Sequence, residues 1–200
     1  MIVQIIGKHP SVADTPVIEG AVRWIINSAY EALGDAWDVL FEMHTADQVA
    51  QVRPRMMADL ESVTGKRRIC LYGELRGFEA YPLDALRQFF ADGELERSFQ
   101  SSLDFMMALA IYEGATEIHL HGAELRARHE YMAQRESFKY WMGQARGRGI
   151  HVTVPEASGL NGAHFLYGYE LDTGRAGPPG ESVIVYGVPG GRTNPRSAVA

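Results

Sequence analysis

The side chains best suited to chemistry in this chain follow directly after apolar, strand-like segments. The loop Gly7-Lys8-His9-Pro10-Ser11 follows the apolar run Ile2 to Ile6. Glycine permits a tight turn there, Ser11 offers a phosphate its hydroxyl and its backbone N–H, and Lys8 and His9 can contact an anion. A helix predicted to begin a few residues later would direct the positive end of its dipole at the same place. An ordinary turn between two elements accounts for these residues equally well.

His44 is the residue that we predict as a general base. It ends the strand-like segment Trp37 to His44, and imidazole changes protonation near neutral pH, as base catalysis requires. A structural role fits its position equally well. His119 and His121 alternate with apolar residues, so we expect them to share one sheet face and to pack against a helix. No spacing typical of a metal cage is present, so no metal ion is predicted.

One predicted helix carries a group of polar residues within a single turn. Tyr131, Gln134 and Arg135 are separated by three and four positions, which places them on one helix face. Arg135 could clamp a phosphate through two parallel hydrogen bonds. Alternatively, Glu130 or Glu136 neutralises its charge on the helix surface.

Strand-like segments must position these residues, and helical patterns lie between them. The segments are Ile2 to Ser11, Trp37 to His44, Ile69 to Leu75, Glu117 to Glu124 and Ile150 to Gly159. We predict an α/β fold, a single Rossmann-like domain with a mostly parallel, twisted sheet and helices on both faces. Such a sheet binds ligands in a crevice at the carboxyl ends of its strands. Ser158 would complete the rim and hydrogen-bond a base or ribose, unless it belongs to a plain loop.

The clearest helical pattern covers residues 17–29. Thr15-Pro16 supplies an N-cap and a first-turn proline, and Gly34 supplies the stop. Further helices are predicted over residues 46–63 with a break at Pro54, from Tyr81 onward, over residues 103–111 and over residues 130–146. Neither a GxGxxG fingerprint nor a Walker A loop follows the first strand, which argues against a standard NAD enzyme and a P-loop NTPase.

The composition excludes several classes of partner. The net charge of −6 provides no overall attraction to nucleic acid. A nucleic acid with a modified base as the acceptor of the transferred group is not excluded by the net charge. No run approaches the ~20 apolar residues of a membrane span, and no basic leader precedes the first strand. The lone Cys70 lies within a strand, where a buried structural thiol is expected, and fits a reducing compartment. We therefore predict no signal peptide, no membrane partner and a cytoplasmic location.

The composition also predicts the domain organisation. Residues 1–160 form the nucleotide-binding domain. Residues 161–188 form an extension in which residues 182–188 supply an edge strand or a partner arm, and so a route to a homo-oligomer. Residues 189–200 are predicted to be a disordered tail.

Several short motifs, in their order and spacing, resemble those of bacterial sialyltransferases of the CMP-sialic-acid type. GKHPSV at residues 7–12 is similar to their G-x-G-P-S-L loop, and FEMH at 41–44 is similar to an element of phage-encoded members. Ser101-Ser102, IHLHGAE at 118–124, EYMAQR at 130–135 and GRGI at 147–150 extend the likeness. Archaeal 6-hydroxymethylpterin pyrophosphokinase-like proteins and phage-encoded proteins of unassigned role form related groups. The resemblance covers about residues 2–160.

The resemblance implies a Rossmann-like fold with a nucleotide-sized pocket. The loop after the first strand and the serine-rich segment would hold the nucleotide, and the end of the fourth segment would hold ribose or donor hydroxyls. The residues expected to contact the nucleotide are Gly7, Lys8, His9, Pro10, Ser11, Ser101, Ser102, Gly122, Glu124, Tyr131, Gln134 and Ser158. The chain departs from the family where His9 replaces a loop glycine and Glu124 replaces an aspartate. The catalytic histidine of the family cannot be placed here by motif.

Three functional interpretations remain open. In the first, the protein is a glycosyltransferase-like enzyme that needs no cofactor and takes a sugar or related group from a nucleotide-activated donor, of the CMP type or another. His44 would be the base and Arg135 would offset the charge of the leaving group. In the second, it is a non-catalytic nucleotide-binding accessory protein, located in the host cytoplasm if phage-encoded. In the third, it is a structural or interaction subunit that pairs through residues 182–188.

Overall fold

The computed structural model describes residues 1–61, 63–91, 95–123, 125, 129–156 and 158–161. The predicted extension over residues 161–188, apart from Asn161, and the predicted tail over residues 189–200 lie outside the described residues. The domain boundaries therefore stay a prediction.

The centre of the fold is a seven-stranded parallel sheet in the order β5-β4-β3-β2-β1-β6-β7. Its strands are β1 Ile2–Ile6, β2 Ala21–Ile26, β3 Val39–Glu42, β4 Arg67–Cys70, β5 Glu79–Ala80, β6 Glu117–His121 and β7 His151–Thr153. Four of the five segments predicted from sequence (β1, β3, β4 and β6) end in the expected glycine- or histidine-containing loops, and β7 lies within the fifth. The predicted α/β, Rossmann-like fold is confirmed.

Six α-helices connect the strands within the described residues. They are α1 Tyr30–Leu33, α2 Ala46–Val52, α3 Met56–Asp59, α4 Leu83–Phe90, α5 Ser102–Tyr112 and α6 His129–Gly147, and short 3-10 helices cover Pro10–Asp14 and Leu95–Ser98. The predicted break at Pro54 is present, because the helical segment divides into α2 and α3 around it. The predicted proline entry after Tyr81 is present as well, since Pro82 immediately precedes α4.

The predicted helix over residues 17–29 is wrong. Residues 21–26 form β2, which lies between β1 and β3 and pairs Trp24 with Ile5 and with Val39. The run AVRWII is buried on both sheet faces at its carboxyl end, and a short apolar run of this kind satisfies helical and strand spacing alike. β-branched and aromatic residues then favour the strand once neighbours are available on both edges.

Thr15 and Pro16 belong to an extended connection rather than to a helix start. The side chain of Gln4, fully buried on β1, holds this connection against the sheet. Its Nε2 donates to the Pro16 carbonyl oxygen at 2.7 Å, and the Ile18 N–H donates to its Oε1 at 3.3 Å. The buried amide of Gln4 is thus hydrogen-bonded by the extended connection between the 3-10 helix and β2.

Both faces of the sheet carry an apolar core. On one face, helices α4, α5 and α6 cover side chains of alternate strand positions, among them Ile5, Trp24, Phe41, Ile69 and Leu120. On the other face, the first 3-10 helix and helices α1, α2 and α3 cover Ile6, Ile25, Leu40 and Cys70. Cys70 is buried, as predicted. The alternation explains why each strand reads as a continuous apolar run.

Helix α5 is buried on nearly all sides, whereas the sequence predicted a single apolar stripe. Residues 103 to 111 are buried with the exception of Phe105. The helix packs against β1, β2 and β3 below it and against α4 and α6 on either side. A helix with apolar residues all round fits this central position.

Asp104 ties the buried start of α5 to its surroundings. Its Oδ2 accepts hydrogen bonds from the Gln100 N–H at 2.9 Å, the Ser101 N–H at 2.7 Å, the Ser101 hydroxyl at 3.0 Å and the Ser137 hydroxyl at 2.9 Å. Burial raises the pKa of Asp104 from 3.8 to about 6, although these hydrogen bonds act in the opposite direction. The folded chain therefore holds this proton more tightly than the unfolded chain does.

Asp104 predicts a loss of stability as the pH rises from about 4 to about 6. The folded-state pKa lies above the unfolded one, so the contribution is most favourable below both values and is lost as the carboxyl ionises in the folded protein. The shift corresponds to up to about 3 kcal/mol. Asp104→Asn keeps an oxygen acceptor and should flatten this part of the curve. Urea denaturation across this pH range measures the difference.

The exposed Asp84 on α4 provides the matched control. Asp84→Asn removes a carboxyl that is paired with Arg87 at the surface and should leave the shape of the stability curve nearly unchanged. Parallel curves for wild type and Asp104→Asn would contradict the assignment.

Candidate functional site

The carboxyl ends of β1, β2, β3 and β6 lie at one edge of the sheet. Gly7 follows β1, Asn27 follows β2, His44 follows β3 and Gly122 follows β6. We call the edge formed by these four residues the crevice. Adjacent strands lie about 4.8 Å apart, so the loops after β1 and β3 are separated by about 10 Å. This is a span that one nucleotide-sized ligand can bridge.

His44 is held by the carboxylate of Glu42. Nδ1 of His44 lies 2.5 Å from Glu42 Oε1, which also accepts the His44 backbone N–H at 3.2 Å. The Glu42 side chain is fully buried, whereas the His44 side chain is 38% exposed. Glu42 Oε2 forms an ion pair with Arg53 Nη1 at 3.1 Å. The pair therefore presents a partly exposed imidazole on a buried, charged support.

The arrangement determines where the proton of the neutral imidazole lies. Glu42 is paired with a guanidinium, and an ionised carboxylate can only accept hydrogen bonds. Arg53 Nη1 also lies near Nδ1 of His44, but at 3.5 Å, whereas Glu42 Oε1 is at 2.5 Å. The shorter contact assigns the proton to Nδ1, which leaves the lone pair on Nε2. Enzymes commonly activate a hydroxyl nucleophile with a base that a further side chain orients, as Glu42 orients His44 here. This geometry supports the prediction of His44 as a base and leaves its catalytic use to be tested.

Asn27 is a residue of the crevice that the sequence prediction missed. It has a backbone φ of 52°, in the left-handed region, and its N–H donates to the Phe41 carbonyl oxygen at 2.9 Å. Its side-chain Oδ1 is buried and accepts no hydrogen bond in the described part of the chain. A buried acceptor without a partner is costly, and unusual backbone conformations concentrate at functional sites. Asn27 therefore carries an unused acceptor close to the ends of β2 and β3.

Two different signals would have found Asn27 and Glu42. Asn27 was hidden because residues 17–29 were assigned to a helix, and a strand over residues 21–26 places it at a strand end. Glu42 was part of the motif FEMH but was given no role. An acidic residue two positions before a histidine can reach that histidine when both lie at a strand end, as they do here.

The predicted phosphate loop and the end of β6 are joined directly. The Gly7 N–H donates to the His121 carbonyl oxygen at 2.8 Å, and the His9 N–H donates to the Gly122 carbonyl oxygen at 3.1 Å. A Cβ at Gly7 would lie 2.3 Å from the Gly122 oxygen. Gly7 is therefore required by the close approach of two backbones.

The polar groups of this loop have partners within the protein. Nδ1 of His9 accepts the Ser11 N–H at 3.3 Å and lies 3.0 Å from the Ser11 hydroxyl. Only a five-residue 3-10 helix follows, at Pro10–Asp14. The expected helix dipole is absent from the described residues, because residues 21–26 form a strand. Lys8 is exposed, and the side chain of Pro10 lies outside the described residues.

Two serines predicted to contact a nucleotide serve the fold. The Ser101 hydroxyl donates to Asp104, as described above, and Ser102 begins α5 in a half-buried position. The Ser158 hydroxyl donates to the Ala123 carbonyl oxygen at 2.8 Å and accepts the Leu160 N–H at 3.2 Å. These bonds tie the last loop to the loop after β6. Ligand contacts by the three serines stay predictions.

The helix residues of the prediction are only partly described. Gln134 and Arg135 are half-buried on α6, and Arg135 has no ion pair within the described ranges. The side chain of Tyr131 and the whole of Glu124 lie outside the described residues, so the proposed turn of Tyr131, Gln134 and Arg135 stays a prediction.

His119 and His121 share one face of β6, as expected. His119 bonds Thr153 Oγ1 through Nδ1 at 2.7 Å and approaches Glu117 at 3.3 Å through Nε2. Burial lowers the pKa of His121, and the charges of His119 and Arg23 act in the same direction. These contacts are structural.

No group of three or more potential metal ligands occurs among the described residues. None of the described helices is long and apolar enough to cross a membrane.

Comparison with known proteins gives a likeness of fold only. No family model and no curated protein matches the chain. Two solved structures resemble it, both of the sialyltransferase CstII from Campylobacter jejuni, in complex with cytidine-5'-monophosphate and with CMP-3FNeuAc. Each is 14% identical in sequence, and each alignment covers 76% of this chain. The alignments cover 77% and 78% of the two sialyltransferase chains, and the TM-scores are 0.45 and 0.46. At this level the likeness extends to the general arrangement of strands and helices and assigns no residue.

The close approach at Gly7 yields a prediction about stability. Gly7→Ala would place a methyl group against the Gly122 backbone, and we expect it to lower the free energy of unfolding by more than about 2 kcal/mol. Gly143→Ala on α6, where a Cβ meets nothing within 4 Å, should instead raise it by about 0.5–1 kcal/mol. Chemical denaturation of both variants tests this, and similar effects of the two would contradict it.

Proposed function

We propose that this protein binds a nucleotide-activated donor in the crevice and transfers the activated group to an acceptor hydroxyl. The observation that carries the proposal is the Glu42–His44 pair at the end of β3, in which a buried carboxylate fixes the proton on Nδ1 and leaves Nε2 as the base. The donor class is suggested by the sequence resemblance of residues 7–12 to the loop of CMP-sialic-acid sialyltransferases.

In the proposed reaction, Nε2 of His44 takes the proton of the acceptor hydroxyl. The acceptor oxygen forms a bond to the activated carbon while the bond from that carbon to the phosphate oxygen breaks, and the nucleotide leaves with the electron pair. The resulting imidazolium lies beside the negative charge of Glu42, which stabilises it. Lys8, exposed in the loop after β1, can compensate charge on the leaving phosphate.

Asn27 would contribute to binding rather than to the chemical step. Asn27 follows β2, so its backbone lies between the loops after β1 and β3. A ribose hydroxyl or a base amine would supply the hydrogen bond that Oδ1 lacks within the described residues. This hydrogen bond would make the free energy of ligand binding more favourable by about 1–3 kcal/mol, the usual cost of a buried acceptor without a partner.

A thermal-shift panel of CMP, UMP, GMP, AMP and their sugar conjugates tests binding. A ligand specific for the folded protein stabilises it by RT ln(1 + [L]/Kd), so at least one member of the panel should raise the melting temperature in a dose-dependent manner. An unchanged melting temperature with every member would overturn the proposal.

Replacing His44 tests catalysis. In the His44→Asn variant, the side-chain amide can still donate a hydrogen bond to Glu42. It has no basic nitrogen to replace Nε2 of the imidazole. We expect turnover of the donor found in the panel to fall by about 10²–10⁴-fold, with the melting temperature and the donor Kd nearly unchanged. Undiminished turnover would remove His44 from the mechanism. Binding without any transfer or hydrolysis by the wild type would favour the non-catalytic interpretation.

Replacing Asn27 tests the binding role. Glycine tolerates the left-handed backbone, so Asn27→Gly should fold with a stability within about 1 kcal/mol of the wild type while weakening nucleotide binding about tenfold. Ala91→Gly is the matched control, since Ala91 also has a positive φ of 49° at the end of α4. Ala91→Gly should leave the nucleotide Kd unchanged. Equal Kd values for the wild type, Asn27→Gly and Ala91→Gly would contradict the role of Asn27.

A further inference from the structure

A groove separate from the crevice lies between α3 and the loop that follows β4. Its volume is about 380 Å³, and it is lined by Met57, Ala58, Glu61, Arg68, Arg76 and Gly77. Arg68 on β4 lies opposite Leu40 on β3, and Leu40 comes two residues before Glu42 along β3. The groove therefore lies about 7 Å further from the crevice edge along the strand direction, on the face that carries α2 and α3.

Arg68 has unsatisfied donors at this groove. Its Nη2 donates to the Val63 carbonyl oxygen, but its buried Nε has no hydrogen-bond partner in the described part of the chain. The backbone of Gly77, which has a φ of 78°, lies close to the Arg68 guanidinium. A Cβ added at Gly77 would lie 3.6 Å from Nη1 of Arg68. A half-buried guanidinium held by one carbonyl keeps a net charge and spare N–H groups for an anion.

Arg76 adds a second guanidinium from the opposite wall. It is exposed and forms no ion pair within the described ranges. Glu61 is the single acidic residue of the lining, and it pairs with neither arginine in that part of the chain. The lining therefore carries two positive charges against one negative charge, in a protein whose net charge is −6.

We propose that this groove binds the phosphate group of a small phosphorylated molecule. Arg68 and Arg76 would bind the phosphate oxygens, because guanidinium groups match oxyanions in charge and in hydrogen-bond geometry. Met57 and Ala58 would contact the apolar part of the molecule, and a volume of 380 Å³ leaves room for it beside the phosphate. Glu61 would accept a hydrogen bond from a ligand hydroxyl. This inference is independent of the proposed transferase function.

Calorimetric titration of the full chain with inorganic phosphate tests the proposal, with sodium chloride holding the ionic strength constant. Arg76→Gln, at an exposed position that should not affect folding, should weaken phosphate binding at least about tenfold. Arg55→Gln on α3 is the matched control, since Arg55 is 89% exposed and does not line the groove. Glu61→Gln should strengthen binding because it removes the repelling charge.

Three outcomes of the titrations of wild type, Arg76→Gln and Arg55→Gln would overturn the proposal. They are an absence of heat with phosphate, an equal response of Arg76→Gln and Arg55→Gln, and equal affinity for phosphate and acetate, since two guanidiniums should favour the dianion. His44→Asn should leave this titration unchanged. A change there would show that the phosphate occupies the crevice and would also overturn the assignment. Failure of the nucleotide panel leaves this result unaffected, so the two proposals can fail separately.

Discussion

The hydrogen-bonded seam between β1 and β6 is the constraint on which the candidate site depends. The chain proceeds from β1 outward to β5 and then returns to place β6 beside β1, so the strand order reverses between these two strands. Open α/β sheets commonly bind ligands at such a reversal. Here the loops after β1 and β6 are joined by backbone hydrogen bonds at Gly7 and His9, and Val12 packs against Gly122. Asn27 and His44 lie at the neighbouring strand ends, after β2 and β3.

The ion pair of Glu42 couples the stability of this region to its chemistry. A fully buried carboxylate is costly unless it is paired and hydrogen-bonded. Oε1 of Glu42 is hydrogen-bonded to the backbone and imidazole of His44, and Oε2 is paired with Arg53 but lacks a hydrogen bond in the described part of the chain. Loss of a partner from a buried pair costs about 3–5 kcal/mol. The orientation of His44 is thus fixed by the same contacts that make the burial of Glu42 tolerable, and the imidazole is preorganised without a ligand.

Much of the fold follows from local sequence, but the identity of β2 does not. Buried strands followed by a glycine or a histidine predict β1, β3 and β6, and prolines at positions 54 and 82 set helix boundaries through the missing N–H group. The run AVRWII becomes a strand only because β1 and β3 pair with both of its edges, which is a long-range property. The same error concealed Asn27. The sequence also does not reveal that the Ser101 hydroxyl donates to Asp104 and the Ser158 hydroxyl to the Ala123 carbonyl oxygen.

A negative net charge does not exclude anion binding at particular sites of this chain. Many of its arginines are neutralised locally: Arg67 pairs with Glu79 and Glu113, Arg53 with Glu42, and Arg87 with Asp84. The two opposite charges of a close pair largely cancel each other at longer distances, so the pair contributes little to the electrostatic potential elsewhere. Lys8, Arg68 and Arg76 have no carboxylate within ion-pair distance in the described part of the chain. Because net charge governs only the distant field, the two proposed sites rest on local cations, which are Lys8 at the crevice and Arg68 and Arg76 at the groove.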